Sequence, residues 1–170
     1  MNNNYKIKNM NENSIYIHST SEVSKDADIQ SGTKIWHFSH IRENTKIGKN
    51  VTIGQNVYID EGVAIGDGTK IQNNVSVYKG VSVGRYVFIG PGVVFTNDLY
   101  PVSEVWSEDL IMLTFIEDYV SLGANSTILP GITIGMYSIV GAGSVVTKNI
   151  PPHCKVFGNP AKIVSENYRK

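Results

Sequence analysis

From Ile17 to Phe95 an apolar residue returns at every sixth position: Ile17, Val23, Ile29, Ile35, Ile41, Ile47, Ile53, Ile59, Ile65, Ile71, Val77, Val83, Ile89 and Phe95. The beat resumes at Ile116 and runs through Leu122, Ile128, Ile134, Val140 and Val146. Two residues before each repeat position stands a small or β-branched side chain, such as Thr45, Val51, Val57, Val63, Thr69 or Val75. Glycine often follows directly, as at Gly48, Gly54, Gly66, Gly84 and Gly90. A period of six fits neither a helical face nor one uninterrupted alternating strand. It predicts a short extended segment followed by a corner, repeated until the chain winds into a solenoid.

Strand side chains alternate, so positions i and i−2 share a face, which must point into the column. Three hexads make a triangular coil of 18 residues, and successive coils pair as parallel strands about 4.8 Å apart. The twenty repeat positions then form between six and seven coils, a prism about 32 Å long. Each buried aliphatic side chain contributes about 1.5–3 kcal/mol, so the repeat outweighs any single polar contact. The reading is one all-β domain: a polar lead-in at 1–14, coils at 15–95 and 116–148, and a C-terminal cap at 149–170 with a short helix over 161–169. Asp67, Gly68, Asn73 and Asn74 are examples of corner residues, since Gly and Asn tolerate the turns that branched side chains resist.

Between Phe95 and Ile116 the spacing is 21, not a multiple of six, so residues 96–115 form a protruding loop. Tyr100, Trp106, Leu110, Ile111 and Met112 give this loop apolar groups that solvent alone does not use. Packing against a neighbouring subunit is the economical alternative to a surface insertion.

Composition narrows the function classes. Fifteen basic and fifteen acidic residues give a net charge of zero, so nothing global points to nucleic acid or an anionic membrane. No Lys or Arg occurs between Arg85 and Lys148, whereas the last stretch is basic. The single cysteine, Cys154, excludes an intramolecular disulfide. With no apolar leader and no 18-residue apolar run, the expectation is a cytoplasmic protein.

The aliphatic-glycine repeat resembles the hexapeptide-repeat acyltransferases, which implies a left-handed parallel β-helix, whereas the general crossover rule expects right-handed connections. IWHFSHI (35–41), GQNVYI (54–59), KIQNNVSVYKGV (70–81), GPGVVFTN (90–97), LGANSTILPG (122–131) and VFGNPAKIV (156–164) together resemble the bacterial nucleotide-linked 3-amino-sugar N-acetyltransferases. That resemblance implies acetyl-CoA as co-substrate, a dTDP- or UDP-linked amino sugar as acceptor, and a homotrimer with active sites between subunits. It maps the amine-contacting amide onto Asn97 and the sugar-nucleotide-facing segment onto Gln72, Asn73 and Tyr78. His37 and His40 lie in the WHFSH match as candidate proton acceptors. Pantetheine-facing positions map near Ala124, Ala142 and Gly143, with Lys148, Pro160 and Lys162 toward the nucleotide phosphates. The Pro-Arg element common after FTN is replaced by Tyr100-Pro101-Val102, so Lys79 or Arg85, or a neighbour, must meet any substrate carboxylate or pyrophosphate. This favours a neutral dTDP-3-amino-3,6-dideoxyhexose over a UDP-3-amino-glucuronate.

The proposed chemistry is attack of a neutral amine on a thioester, resting on juxtaposition and polar stabilisation, with or without a histidine base. Other readings are a hexapeptide-repeat acyltransferase with a different acceptor, a non-catalytic β-helix binding protein, and a zinc hydratase. The last needs three convergent histidines, which His18, His37, His40 and His153 do not evidently supply, so no metal is expected.

Overall fold

In the computed structural model, which describes residues 14–168, the chain is a three-sided left-handed parallel β-helix. Of the lead-in at 1–14, residues 1–13 lie outside the described residues. One sheet stacks Tyr16–Ile17, Lys34–Ile35, Thr52–Ile53, Lys70–Ile71, Phe88–Ile89, Ser121–Leu122 and Ile139–Val140. The second stacks Glu22–Val23, His40–Ile41, Tyr58–Ile59, Ser76–Val77, Val94–Phe95, Thr127–Ile128 and Val145–Val146. The third stacks Asp28–Ile29, Lys46–Ile47, Ala64–Ile65, Val81–Val83, Thr114–Ile116 and Thr133–Ile134. Each strand occupies one side of a coil, and the chain meets the first, second and third sheets in turn. The first corner therefore joins the first sheet to the second, the second corner joins the second to the third, and the third corner returns to the first.

Register follows the 18-residue coil, with Ile17 opposite Ile35, Ile35 opposite Ile53 and Ile53 opposite Ile71. Repeat residues from Ile35 to Val146 are buried. Ile17 is 43% exposed because its coil ends the described stack and has a neighbour on one side only. Several polar residues at i−2, Thr33 and Thr69 among them, are accommodated by bonding between coils, whereas the buried Ser126 hydroxyl has no partner among the described residues. Thr33 Oγ1 donates to Gly48 O at 2.8 Å and accepts from Val51 N at 3.1 Å. Thr69 repeats this with Gly84 O and Val87 N. At these two positions the buried hydroxyl keeps both partners.

Across the insertion Val83 lies opposite Ile116, 33 residues on rather than 18, so the stack continues with fifteen extra residues looped out. The C-terminal cap differs from the expected helix. Lys162–Ser165 is a strand, antiparallel to Lys155–Phe157 at the end of the first sheet. Its Lys-Ile-Val-Ser run suits a strand, and pairing satisfies backbone groups that a helix there would leave open.

Candidate active site

The second corner is built from residues 18 apart along the stack. Arg42 and Glu43 lie below Asp60 and Glu61, these below Tyr78 and Lys79, and these below Thr96 and Asn97. Charges consequently meet between coils. Asp60 accepts from Lys79 N at 3.1 Å, Glu61 N at 2.8 Å, Tyr58 OH at 2.9 Å and Arg42 Nη1 at 3.2 Å. Partial burial pushes its carboxyl up, but these donors together outweigh burial and hold it below its ordinary value. Burial raises the neighbouring Tyr58 hydroxyl. Arg42 also pairs with Glu43, and that bond holds the Glu43 carboxyl down.

The loop leaves this corner. Asn97 Nδ2 donates to Lys79 O at 3.1 Å, and Asn97 O accepts from Met112 N at 2.9 Å, closing the loop at its base. Lys79 Nζ reaches across to Glu108 on the loop at 2.6 Å and to Glu61 at 3.4 Å. Its raised pKa follows chiefly from the Glu108 bond. Within the loop, with Asn97 at its base, lies a cleft of about 430 Å³ lined by Asn97, Asp98, Pro101, Val102, Trp106 and Ile111 among others, with no basic side chain and no histidine. Trp106 is 76% and Tyr100 81% exposed at the loop's outer edge.

The first corner holds the other group of expected residues. His37 and Asn73 line a cleft of about 270 Å³ with Trp36 and Gln55. Asn73 Oδ1 is engaged by Gln55 N at 2.9 Å, and the His37 ring stacks on His18 with centroids 3.5 Å apart. Gln72 stands beside this cleft in the same coil as Asn73. Farther up the same corner the side chains become small, with Gly90-Pro91-Gly92, then Gly123-Ala124-Asn125, then Gly141-Ala142-Gly143. A Cβ on Gly123 would come 2.4 Å from Ala142 N, whereas one on Gly143 would meet nothing within 4 Å. This upper stretch carries only small side chains at a bend, apart from Pro91 and Asn125. Pro160 and Lys162, both exposed, belong to the hairpin that closes this end.

Not all expected residues meet. Asn97, Tyr78 and Lys79 share the second corner, and exposed Lys148 lies on it at the far end of the stack. Arg85 sits on the third corner, away from both groups, and is held by Asp118 through Nη2 at 2.7 Å and Nε at 3.0 Å. His40 faces outward on the second sheet, its ring 5.6 Å from Tyr58. His40 and His37 both lie about three coil spacings, roughly 14 Å, below the level of Asn97. Glu61, Glu108, Trp36 and Gln55 enter the two sites without having been singled out in the sequence. The 18-residue offset pairs Glu61 with Lys79 and Gln55 with Asn73, and was the available signal. Among the described residues no three His, Cys, Asp or Glu side chains are grouped to hold a metal ion. No helix among them is long and apolar enough to cross a membrane.

The model of the bacterial transferase hexapeptide (six repeats) matches residues 26–61, 62–97 and 114–148, and that of the hexapeptide repeat of succinyl-transferase matches 44–79. The dTDP-3-amino-3,6-dideoxy-alpha-D-galactopyranose 3-N-acetyltransferase of Aneurinibacillus thermoaerophilus is 52% identical over 50 residues, 29% of this chain and 26% of that protein. Galactoside O-acetyltransferase of Lactococcus lactis is 39% identical over 77 residues, 44% of this chain and 37% of that protein. The matched segments thus span well under half of these relatives' lengths. A hexapeptide-repeat acetyltransferase from Vibrio cholerae, solved with acetyl coenzyme A, superposes with a TM-score of 0.63 at 30% identity, covering 72% of this chain and 70% of that one.

Proposed function

This chain belongs to the bacterial hexapeptide-repeat transferase family, and from that premise we propose that it is an acetyl-CoA-dependent N-acetyltransferase acting on the 3-amino group of a nucleotide-linked sugar. The acceptor favoured is a neutral dTDP-3-amino-3,6-dideoxyhexose, in keeping with the absence of Lys and Arg from the loop and its cleft and with the named activity of the Aneurinibacillus relative.

The observation that carries this reading is the second sheet. Its outward side chains from the second coil upward are His40, Tyr58, Ser76, Val94, Thr127 and Val145, none of them a Lys, Arg, Asp or Glu. Counted from the same coil, the first sheet instead presents Lys34, Lys70 and Lys155, and the third presents Lys46. Interface centres are depleted in charge, so the second sheet is the face turned toward a threefold axis. That sheet is bounded by the first and second corners. In a parallel trimer the first corner of one subunit then faces the second corner of the next, and the two half-sites become one cleft.

In that cleft the nucleotide would lie low, with the Trp36 ring for its base and the Gln55 amide for its polar edge. The sugar would reach up about 14 Å to Asn97. With Asn97 Nδ2 committed to Lys79 O, Oδ1 is the atom that would accept a hydrogen bond from the amine and aim its lone pair. The upper first corner fits a thin pantetheine arm, because Ala124, Ala142 and Gly143 raise no more than a methyl group above the backbone there. Lys148 and Lys162 are the cations proposed for the phosphates at that end.

Amine nitrogen forms a bond to the thioester carbonyl carbon, the carbon–sulfur bond breaks, and the nitrogen's proton passes to the departing thiolate. The products are a 3-acetamido sugar nucleotide and free CoA. No histidine lines the cleft beside Asn97, so the amine is taken up neutral and catalysis rests on placement. Mass spectrometry of products from acetyl-CoA and a panel of 3-amino, 4-amino and hydroxyl sugar nucleotides tests the reading. Transfer to a 3-amine by a trimer is expected. Transfer only to hydroxyls, or full activity in a monomer, would overturn it.

A further inference from the structure

Resting on the nucleotide-sugar reading above, we infer that Glu108, acting through Lys79, is a specificity-determining residue that turns away sugars carrying a carboxylate at C6. Lys79 is the one cation among the residues lining the two adjoining clefts of the loop-bearing corner. Its ammonium is already engaged by Glu108 at 2.6 Å and by Glu61 at 3.4 Å. A uronate carboxylate brought to Asn97 would find Asp98 in the same cleft and a lysine held by two other carboxylates. Discrimination of this kind comes from a repulsive element rather than from an added attraction. A methyl or hydroxymethyl group at C6 would instead face Val102, Trp106 and Ile111.

The geometry of the pair is set by the loop and not by a ligand. Ser107 Oγ accepts from Asp109 N at 3.3 Å and starts the short turn Glu108–Leu110. Ile111 then lies against Gly80, where a Cβ would stand 2.5 Å from Ile111 Cγ2. The returning loop is therefore clamped to the coil that carries Lys79, with Glu108 directly over it. Lys79 also joins this pair to the amine site, since its carbonyl accepts from Asn97 Nδ2 at 3.1 Å. Neutralising Glu108 leaves that backbone link in place and frees the ammonium from its nearer carboxylate.

Calorimetric titration of the full chain with UDP-glucose against UDP-glucuronate, and dTDP-glucose against dTDP-glucuronate, reads this preference without turnover. Wild type is expected to bind the glucose member of its preferred nucleotide about 10-fold more tightly. Glu108→Gln narrows the gap to about 3-fold or less by tighter uronate binding, and adding Lys79→Met restores it. An unchanged gap in Glu108→Gln overturns the inference, as does a wild-type preference for the uronate or failure to bind any of the four. Loss of both sugars together at an unchanged melting temperature also overturns it, because Glu108 would then only hold the loop. The acetyl-transfer reading is judged separately: discrimination in binding without acetylation of any 3-amino sugar would sink that reading and leave this one standing.

Discussion

The first and third corners make the same backbone bend with opposite side chains. Along the upper third corner, above Gly32, Asn50 and Gly68, the left-handed position holds Tyr86, Tyr119, Tyr137 and His153, with φ between 54° and 60°. Their rings stack at 5.2, 4.8 and 5.1 Å within 18° of parallel. Six residues later in the same turns, the first corner holds Gly92, Asn125 and Gly143 at the equivalent bend. A left-handed φ costs a residue with a Cβ about 1–2 kcal/mol, so glycine or asparagine is the default at either place. Tyrosine persists where each stacked pair returns about 0.5–1.5 kcal/mol. The fold thus dictates the bend but leaves the side chain at the bend free, and one corner uses it as a clasp while the other is stripped to backbone.

The largest effect is expected where a Cβ on the stripped corner would meet backbone most closely. A Cβ on Gly123 falls 2.4 Å from Ala142 N and 2.7 Å from Gly141 C, both backbone atoms that cannot swing aside. Gly123→Val should lower stability by about 3 kcal/mol, seen as a lower urea midpoint. Wild-type stability in that variant would mean that glycine here serves only access. Ala142, exposed on the same corner, separates access from packing. Ala142→Trp should melt with wild type yet bind CoA about 100-fold more weakly by calorimetry. Undiminished CoA affinity would move the pantetheine elsewhere.

The clasp is the milder side of the comparison. Tyr119 stacks on both Tyr86 and Tyr137. Tyr119→Ala loses both stacks and keeps the strained φ, so about 2 kcal/mol is expected in thermal or urea unfolding. Tyr119→Asn loses the stacks but relieves the strain, and should cost about 1 kcal/mol or less. Equal losses in the two variants would mean that the left-handed bend carries no strain here.

Much of this was legible in the sequence. The six-residue beat located the buried residues from Ile35 to Val146 and the sheet register, because a solenoid core depends on local spacing alone. Taken modulo 18, the same beat also says which residues share a corner. It separates His37 from His40 although they lie three residues apart, since one falls at the first corner and the other on the second sheet. The terminal hairpin was hidden because Lys162–Ser165 pairs outside the repeat, where no period announces a partner. The Arg85–Asp118 pair was hidden by the loop, which moves a neighbour from 18 residues away to 33. The contacts of Glu108 depend on how an irregular loop returns to the coil, and composition does not encode that path.

That hidden pair provides the smallest and most selective probe of the third corner. Asp118 Oδ1 accepts from Arg85 N and Oδ2 from its guanidinium, both at 2.7 Å, beside the Tyr86–Tyr119 stack. The guanidinium bond, helped by the backbone N–H, holds the Asp118 carboxyl below its ordinary value. A carboxylate depressed in the folded state adds stability that is complete above its unfolded value, about pH 4. That stability is lost as pH falls through the lower folded value, since the unfolded chain takes up its proton first. Asp118→Asn removes this dependence, so its melting temperature should fall less steeply than wild type below about pH 4. At neutral pH the variant should melt only about 1 °C lower, because Arg85 is largely solvated and the pair is screened. Parallel melting curves for the two proteins across the acid range would show that the corner is held by ring stacking alone, with the ion pair a bystander.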